Sequence, residues 1–254
     1  MGQLYDEIGR DYRTHRRPDP RIAAAILRAL GAAESVLNVG AGAGSYEPPD
    51  RPVVAVEPSP LMIRQRRPDS APVVQASALD LPFRDAALAA ALAVLTVHHW
   101  PDRARGLAEM KRVARGRVVI LTWDPASRGF WLVDDYLPQI VAIDRPIFPT
   151  LDELRAALGP LEIVRLPIPH DCVDGFLGAY WRRPYAYLDV GVGSAISTFS
   201  KLDAGPGLAR LGADLEDGTW ERRYGRLLDA SRAGPRLSPR DPRPLRKTRH
   251  LHAR

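Results

Sequence analysis

The sequence predicts an α/β protein with a Rossmann-like, doubly wound, mostly parallel sheet, helices on both faces and an aromatic-rich C-terminal lid region. Three observations carry this reading. Short apolar strands alternate with helix-patterned segments between residues 36 and 123, the pattern of βαβ units packed as layers. The first strand, Val36-Leu37-Asn38-Val39, runs straight into Gly40-Ala41-Gly42-Ala43-Gly44, where the missing Cβ atoms allow a tight turn and close approach of a ligand. The second strand ends on Glu57, an acid able to accept both hydroxyls of a ribose.

The elements follow in order. Gly2 to Arg13 has a helical pattern, and Asp19 caps a second helix with Pro20 at its first position and Gly31 as its stop. Strands are expected at 36–39, 53–56, 72–74, 88–95 and 117–123, with helices at 59–67 and 102–115 between them. The fourth strand lacks alternation, which suits burial on both faces. Beyond Asp124, Thr150 opens a helix that Gly159 stops, and Leu161 to Leu166 reads as a sixth strand. Residues 167–230 are rich in aromatics, among them Phe176, Tyr180, Trp181, Tyr185, Tyr187 and Phe199. They form either a substrate lid or ordinary packing at the sheet edge. A closing strand belongs near 234–238, where Pro235 would fray it.

Composition sets the outer bounds. With 254 residues and 45% apolar content, the chain can bury one large α/β core. A single domain over 1–230 is expected, with N-terminal helices at 1–35, a cofactor-binding core at 36–123 and a lid and sheet edge at 124–230. The net charge of +6 is concentrated in residues 231–254, which hold eight basic residues and one acid. The body is therefore close to neutral, and the proline-rich tail reads as a disordered basic extension rather than a nucleic-acid surface. The longest apolar run, Ala86 to Val97, has 12 residues, short of the roughly 18 that span a bilayer. One cysteine, Cys172, excludes an intramolecular disulfide. No secretion-signal pattern opens the chain, so a soluble cytoplasmic protein is expected.

Glycine spacing separates two cofactors. A dinucleotide turn needs Gly-x-Gly-x-x-Gly, but position 45 is Ser45 and the third glycine is Gly44. The connection from Gly40 to Val53 has 12 residues with Pro48, Pro49 and Pro52. Little room is left for a long helix to hold a pyrophosphate. S-adenosylmethionine carries no phosphate.

Further motifs are Val54-Ala55-Val56-Glu57-Pro58-Ser59 with Met62, the triplet Leu81-Pro82-Phe83, Leu95-Thr96-Val97-His98-His99-Trp100, and Glu109-Met110 with Arg112-Val113 before a strand. With the glycine motif, these resemble the class I S-adenosylmethionine-dependent methyltransferases of the ubiquinone/menaquinone-biosynthesis type (methyltransferase type 11). The resemblance implies that Gly40, Gly42 and Gly44 line the methionine portion and that Glu57, followed by Pro58, takes the ribose. It also implies that Met62 packs near the adenine, that Ser77 and Ala78 edge the base, and that Leu95 borders the pocket. Three positions depart from the family pattern, with Asn38, Ser77 and Ala89 where acids are usual. Asn38 and Ser77 can still form hydrogen bonds.

Methyl transfer is an in-line displacement that mainly needs alignment and exclusion of water. His99 and His98 follow the fourth strand, where a base would stand, or they only shape the pocket. His170, Asp171 and Cys172 form a second candidate group. No ligand spacing points to a metal. A methyltransferase acting on an unidentified small molecule is expected. A catalytically silent S-adenosylmethionine-binding protein and a nicotinamide-dependent oxidoreductase stay open.

Overall fold

The structure is a computed structural model and describes residues 16–229 and 232–233. The expected helix at 2–13, the strand near 234–238 and most of the basic tail lie outside the described residues. The first helix described, α1 (Pro20–Leu30), starts where Asp19 accepts a hydrogen bond from the Arg21 amide and ends at Gly31 with φ 55°. Ile22, Ile26 and Leu30 recur every four residues and form its buried stripe.

Five strands follow: β1 (Val36–Val39), β2 (Val53–Val56), β3 (Val73–Val74), β4 (Leu88–Val94) and β5 (Ala114–Leu121). All pair in parallel, in the order β3-β2-β1-β4-β5. Between them stand α2 (Pro60–Arg64) and α3 (Arg103–Val113). The chain lays β2 and β3 on one side of β1 and then returns to place β4 and β5 on the other. The carboxyl ends of β1 and β4 therefore flank the point where strand order reverses, the ligand crevice of open α/β sheets.

Residues 90–93 of β4 are all buried, and they point alternately to two cores. Ala91 and Ala93 join Leu107, Met110 and Val113 of α3. Ala90 and Leu92 join the α1 stripe and a large aromatic cluster. Trp131 is the hub of that cluster, with Trp220, Tyr187 and Tyr136 edge-on at 5.3, 5.7 and 5.8 Å between centroids. Its indole N–H donates to the Trp181 carbonyl at 2.8 Å.

The second half contains α4 (Gln139–Ile147), α5 (Leu151–Leu158), α6 (Val190–Ala195), α7 (Gly205–Glu216) and α8 (Thr219–Tyr224). The aromatic-rich region is present as packed interior: Tyr180, Trp181 and Tyr187 are buried, whereas Tyr185 is 63% exposed. The expected sixth strand at 161–166 does not form. Ile163 and Val164 are 47% and 70% exposed there, and among the described residues no strand pairs with them. Pairing begins only at β6 (Ile168–Pro169), which meets β7 (Arg232–Ala233) in a separate antiparallel ladder. Pro167 and Pro169 each lack an N–H donor, which keeps this ladder short. The first residues of the expected tail are thus paired to the body.

Replacing Trp131 with alanine should destabilise the protein by about 3 to 5 kcal/mol, because a hub side chain is removed from a packed core. Tyr185→Ala should change stability by about 0.5 kcal/mol or less. Urea denaturation of the two variants checks the contrast.

Candidate functional site

Gly40, Gly42 and Gly44 all take the left-handed backbone region, with φ 69°, 54° and 91°. At Gly40 the constraint is also steric, because a Cβ would run into the Thr96 hydroxyl just beyond β4. The amides of Gly40 and Ala41 donate to the Val56 carbonyl at 2.8 and 3.0 Å, which clamps the loop to the end of β2. Residues 40–52 form irregular turns with no helix.

Glu57 joins this loop to the next. One carboxylate oxygen accepts the Gly42 amide at 2.8 Å and the other accepts the Ser59 amide at 2.9 Å. Burial pushes its carboxyl up, and the two amides and Arg66 oppose that rise. Met62 is buried, and its terminal methyl would lie 3.3 Å from a Cβ at Gly42. Pro58 is exposed. Ser77 is exposed in a turn where its hydroxyl accepts the Leu79 amide at 3.1 Å, and Ala78 packs into the core with Leu37 and Val39.

Asn38 is buried, and its amide nitrogen donates to Glu47 at 3.5 Å. Glu47 also accepts the Ala71 amide at 2.9 Å and pairs with Arg66 at 2.6 Å. Arg66 in turn donates to the Gly42 carbonyl at 3.3 Å. Glu47 and Arg66 were not legible as site residues, because neither falls in a spaced motif. An acid thus stands beside Asn38, carried by the loop instead of the strand.

At the end of β4, Leu95 has φ 50°, an uncommon conformation for a side chain of its size. Its amide donates to the Leu121 carbonyl at 2.8 Å. The turn Val97–His99 follows. The His98 ring stacks on Phe148 at 4.2 Å and lies 3.8 Å from His99, and its Nδ1 is buried without a hydrogen-bond partner. Burial lowers His98 to about 2, helped by the charges of His99, Lys201 and Arg16. Burial lowers His99 to about 4, helped by Lys201 and Arg16. Both rings are neutral near pH 7, and His99 titrates below the ordinary histidine range.

The second candidate group is occupied elsewhere. Asp171 pairs with Arg21 at 2.6 Å, and the His170 ring lies 3.8 Å from Asp171. Cys172 is buried, and burial pushes its thiol up to about 12. The structure therefore gathers Asn38, the three glycines, Glu57, Met62, Leu95 and the histidine pair around the carboxyl ends of β1, β2 and β4. It keeps Cys172 from acting as a ready nucleophile.

A five-stranded parallel sheet with a glycine turn after β1 and an acid after β2 defines a class of protein. The chain has the class I S-adenosylmethionine-dependent methyltransferase fold. The family described as "Methyltransferase domain" matches residues 37–121. A solved structure from Anabaena variabilis, assigned as a methyltransferase of an antibiotic-biosynthesis pathway, is 29% identical with a TM-score of 0.76, over 87% of this chain and 96% of that one. An S-adenosylmethionine-dependent methyltransferase from Thermotoga maritima shares the fold, with 22% identity and a TM-score of 0.51 over 66% of this chain and 85% of that one. Among the described residues no helix is long and apolar enough to cross a membrane.

The histidine pair predicts acid sensitivity. Below the ordinary 6.5 the unfolded chain binds protons at both rings, while the folded chain refuses them down to about 4 at His99 and about 2 at His98. Stability is therefore complete above 6.5 and is lost as pH falls, by up to about 1.4 kcal/mol per pH unit for each ring. His98→Phe should flatten the decline of Tm between pH 6.5 and 4, and thermal melts across pH check it.

Proposed function

We propose that the chain transfers a methyl group from S-adenosylmethionine to a small molecule by in-line displacement. The observation that carries this reading is Glu57 bridging the glycine loop to β2 beside a turn that leads into no helix. A carboxylate has about four acceptor sites, and amides fill two of them. The remaining capacity suits two ribose hydroxyls. A pyrophosphate would require a helix N-terminus after the glycines, which this loop lacks. The residues present fit S-adenosylmethionine, which when bound supplies an electrophilic methyl carbon.

The work of the chain is to bind, orient and exclude water. Glu57 holds the ribose end, and the left-handed glycines let the methionine end lie against backbone. Met62 covers the base. The Asn38–Glu47 pair offers polar contacts where the family carries an acid on the strand. His98 and His99 wall the acceptor side as neutral rings, with His99 nearer the reacting methyl than His170.

Calorimetry should show binding of S-adenosylmethionine and S-adenosylhomocysteine and none of NAD. Glu57→Ala should weaken the cofactor by roughly 10- to 150-fold, the equivalent of about 1.5 to 3 kcal/mol. NAD binding in place of S-adenosylmethionine would sink the reading. His99→Gln should lower kcat by about 10² with cofactor affinity nearly unchanged, measured by turnover across pH. A variant with unaltered kcat removes His99 from the chemistry.

A further inference from the structure

Beyond the end of β5 lies a cavity that none of the proposed cofactor residues lines. Its walls are Trp123, Phe130, Ile140 and Leu177, and one buried charge, Asp144 of α4, lines it. Asp144 is 8% exposed, and its Oδ1 has no hydrogen-bond partner. The other ionisable groups at the cavity are exposed. Arg128 donates to the Pro125 and Ser127 carbonyls at 3.0 and 2.8 Å, Asp134 accepts the Gly129 amide at 2.9 Å, and Arg145 is exposed. Asp144 accepts a hydrogen bond from Thr198, and Lys201 exerts an opposing charge that does not offset burial, so its carboxyl is raised to about 6.

A buried carboxylate oxygen without a donor is unfavourable in the free protein, and removing such a penalty is a source of ligand affinity. The aromatic walls also attract cations through their faces. Asp144 is linked to the histidine pair through Phe148, which stacks on His98, lies one helical turn after Asp144 and donates its amide to the Asp144 carbonyl at 2.9 Å. We infer that this cavity is the acceptor site and that it takes a small, largely apolar molecule carrying a protonated amine, held by Asp144. Charge-assisted hydrogen bonding supplies the orientation. An ammonium held in this way keeps its proton, so the nucleophile is a different atom of the same molecule. This rests on the methyltransferase reading above.

The test uses phenethylamine, 3-phenylpropanol and 3-phenylpropionate as probes, titrated into the full chain with S-adenosylhomocysteine present and followed by calorimetry and tryptophan fluorescence. Phenethylamine should bind at least about tenfold tighter than the other two, the margin of a charged over an unmatched contact. Asp144→Asn should erase that preference while its Tm in the free state equals or exceeds the parent's, an outcome that a purely structural role would reverse. Ile140→Trp should fill the cavity and abolish binding of all three, which keeps the idea testable if Asp144→Asn folds poorly. Preference for the carboxylate, survival of the amine preference in Asp144→Asn, or no probe bound by protein that binds S-adenosylhomocysteine would overturn the inference. Failure to bind S-adenosylhomocysteine overturns the cofactor reading instead, and the amine preference then still reports on the cavity.

Discussion

One phenolic hydroxyl joins three stretches of chain that lie far apart in sequence. Tyr46, at the end of the glycine loop, donates to Asp174 at 2.8 Å and accepts the Asp19 amide at 3.2 Å. Asp19 is wholly buried, and Arg21 beside it, acting through hydrogen bonds, holds its carboxyl at about 2. It caps α1 and also accepts the Val173 amide at 3.2 Å. Arg16 closes the network on Asp174 at 2.6 Å. Tyr46 itself has φ 61°, a conformation that a tyrosine keeps only where its surroundings over-determine it. This node ties the glycine loop to the start of the helix before the sheet and to the segment after it, while Arg51, donating to the Gly31 and Ala33 carbonyls at 2.8 and 2.9 Å, ties the loop's far end to the end of that helix.

That attachment explains how a loop without a helix stays ordered. In dinucleotide sites the turn leads into a helix whose amides face a pyrophosphate. Here residues 41–52 instead spend their polar groups inward, on Val56, Glu57, Arg66 and the Tyr46 node. The Glu47–Arg66 pair is 10% and 5% exposed at its side chains, and such a pair is tolerated because amides and carbonyls complete its hydrogen bonds. A loop built in this way presents glycine backbone and one buried carboxylate, which suits a cofactor with a ribose and an amino-acid end.

Much of this was legible in the sequence, where local chemistry sets the outcome. The Asp19-Pro20 start and Gly31 stop, the strands at 36–39 and 53–56, the glycine turn and Glu57 follow from caps, periodicity and spacing that act over a few residues. Long-range pairing was not legible. Leu161 to Leu166 has a strand's composition, yet a strand needs a partner, and among the described residues the nearby ladder pairs Ile168–Pro169 with Arg232–Ala233 instead. The aromatics at 180–187 gave no sign of their direction, since a lid and a core share the same composition. Trp131 gathers them inward from outside that window. Glu47 and Asp144 escaped notice because a lone acid in a loop or helix most often faces water.

The placement of charge around the proposed transfer then has a single logic. S-adenosylmethionine is a sulfonium cation, and a second positive charge close by in a low-dielectric site opposes its binding by several kcal/mol. Two histidines follow β4 at the position nearest the crevice, and burial depresses both so far that they carry no charge near neutral pH. Had either ring been solvated, part of the population would be protonated at pH 6 to 7 and would compete with the cofactor. Burial thus keeps both rings in the neutral form, which can wall a pocket or take a proton. Asp144, a buried carboxylate whose Oδ1 has no hydrogen-bond partner, stands one helical turn from Phe148. Negative charge is thereby available where an acceptor would be gripped, and the two rings after β4 add no positive charge of their own near neutral pH.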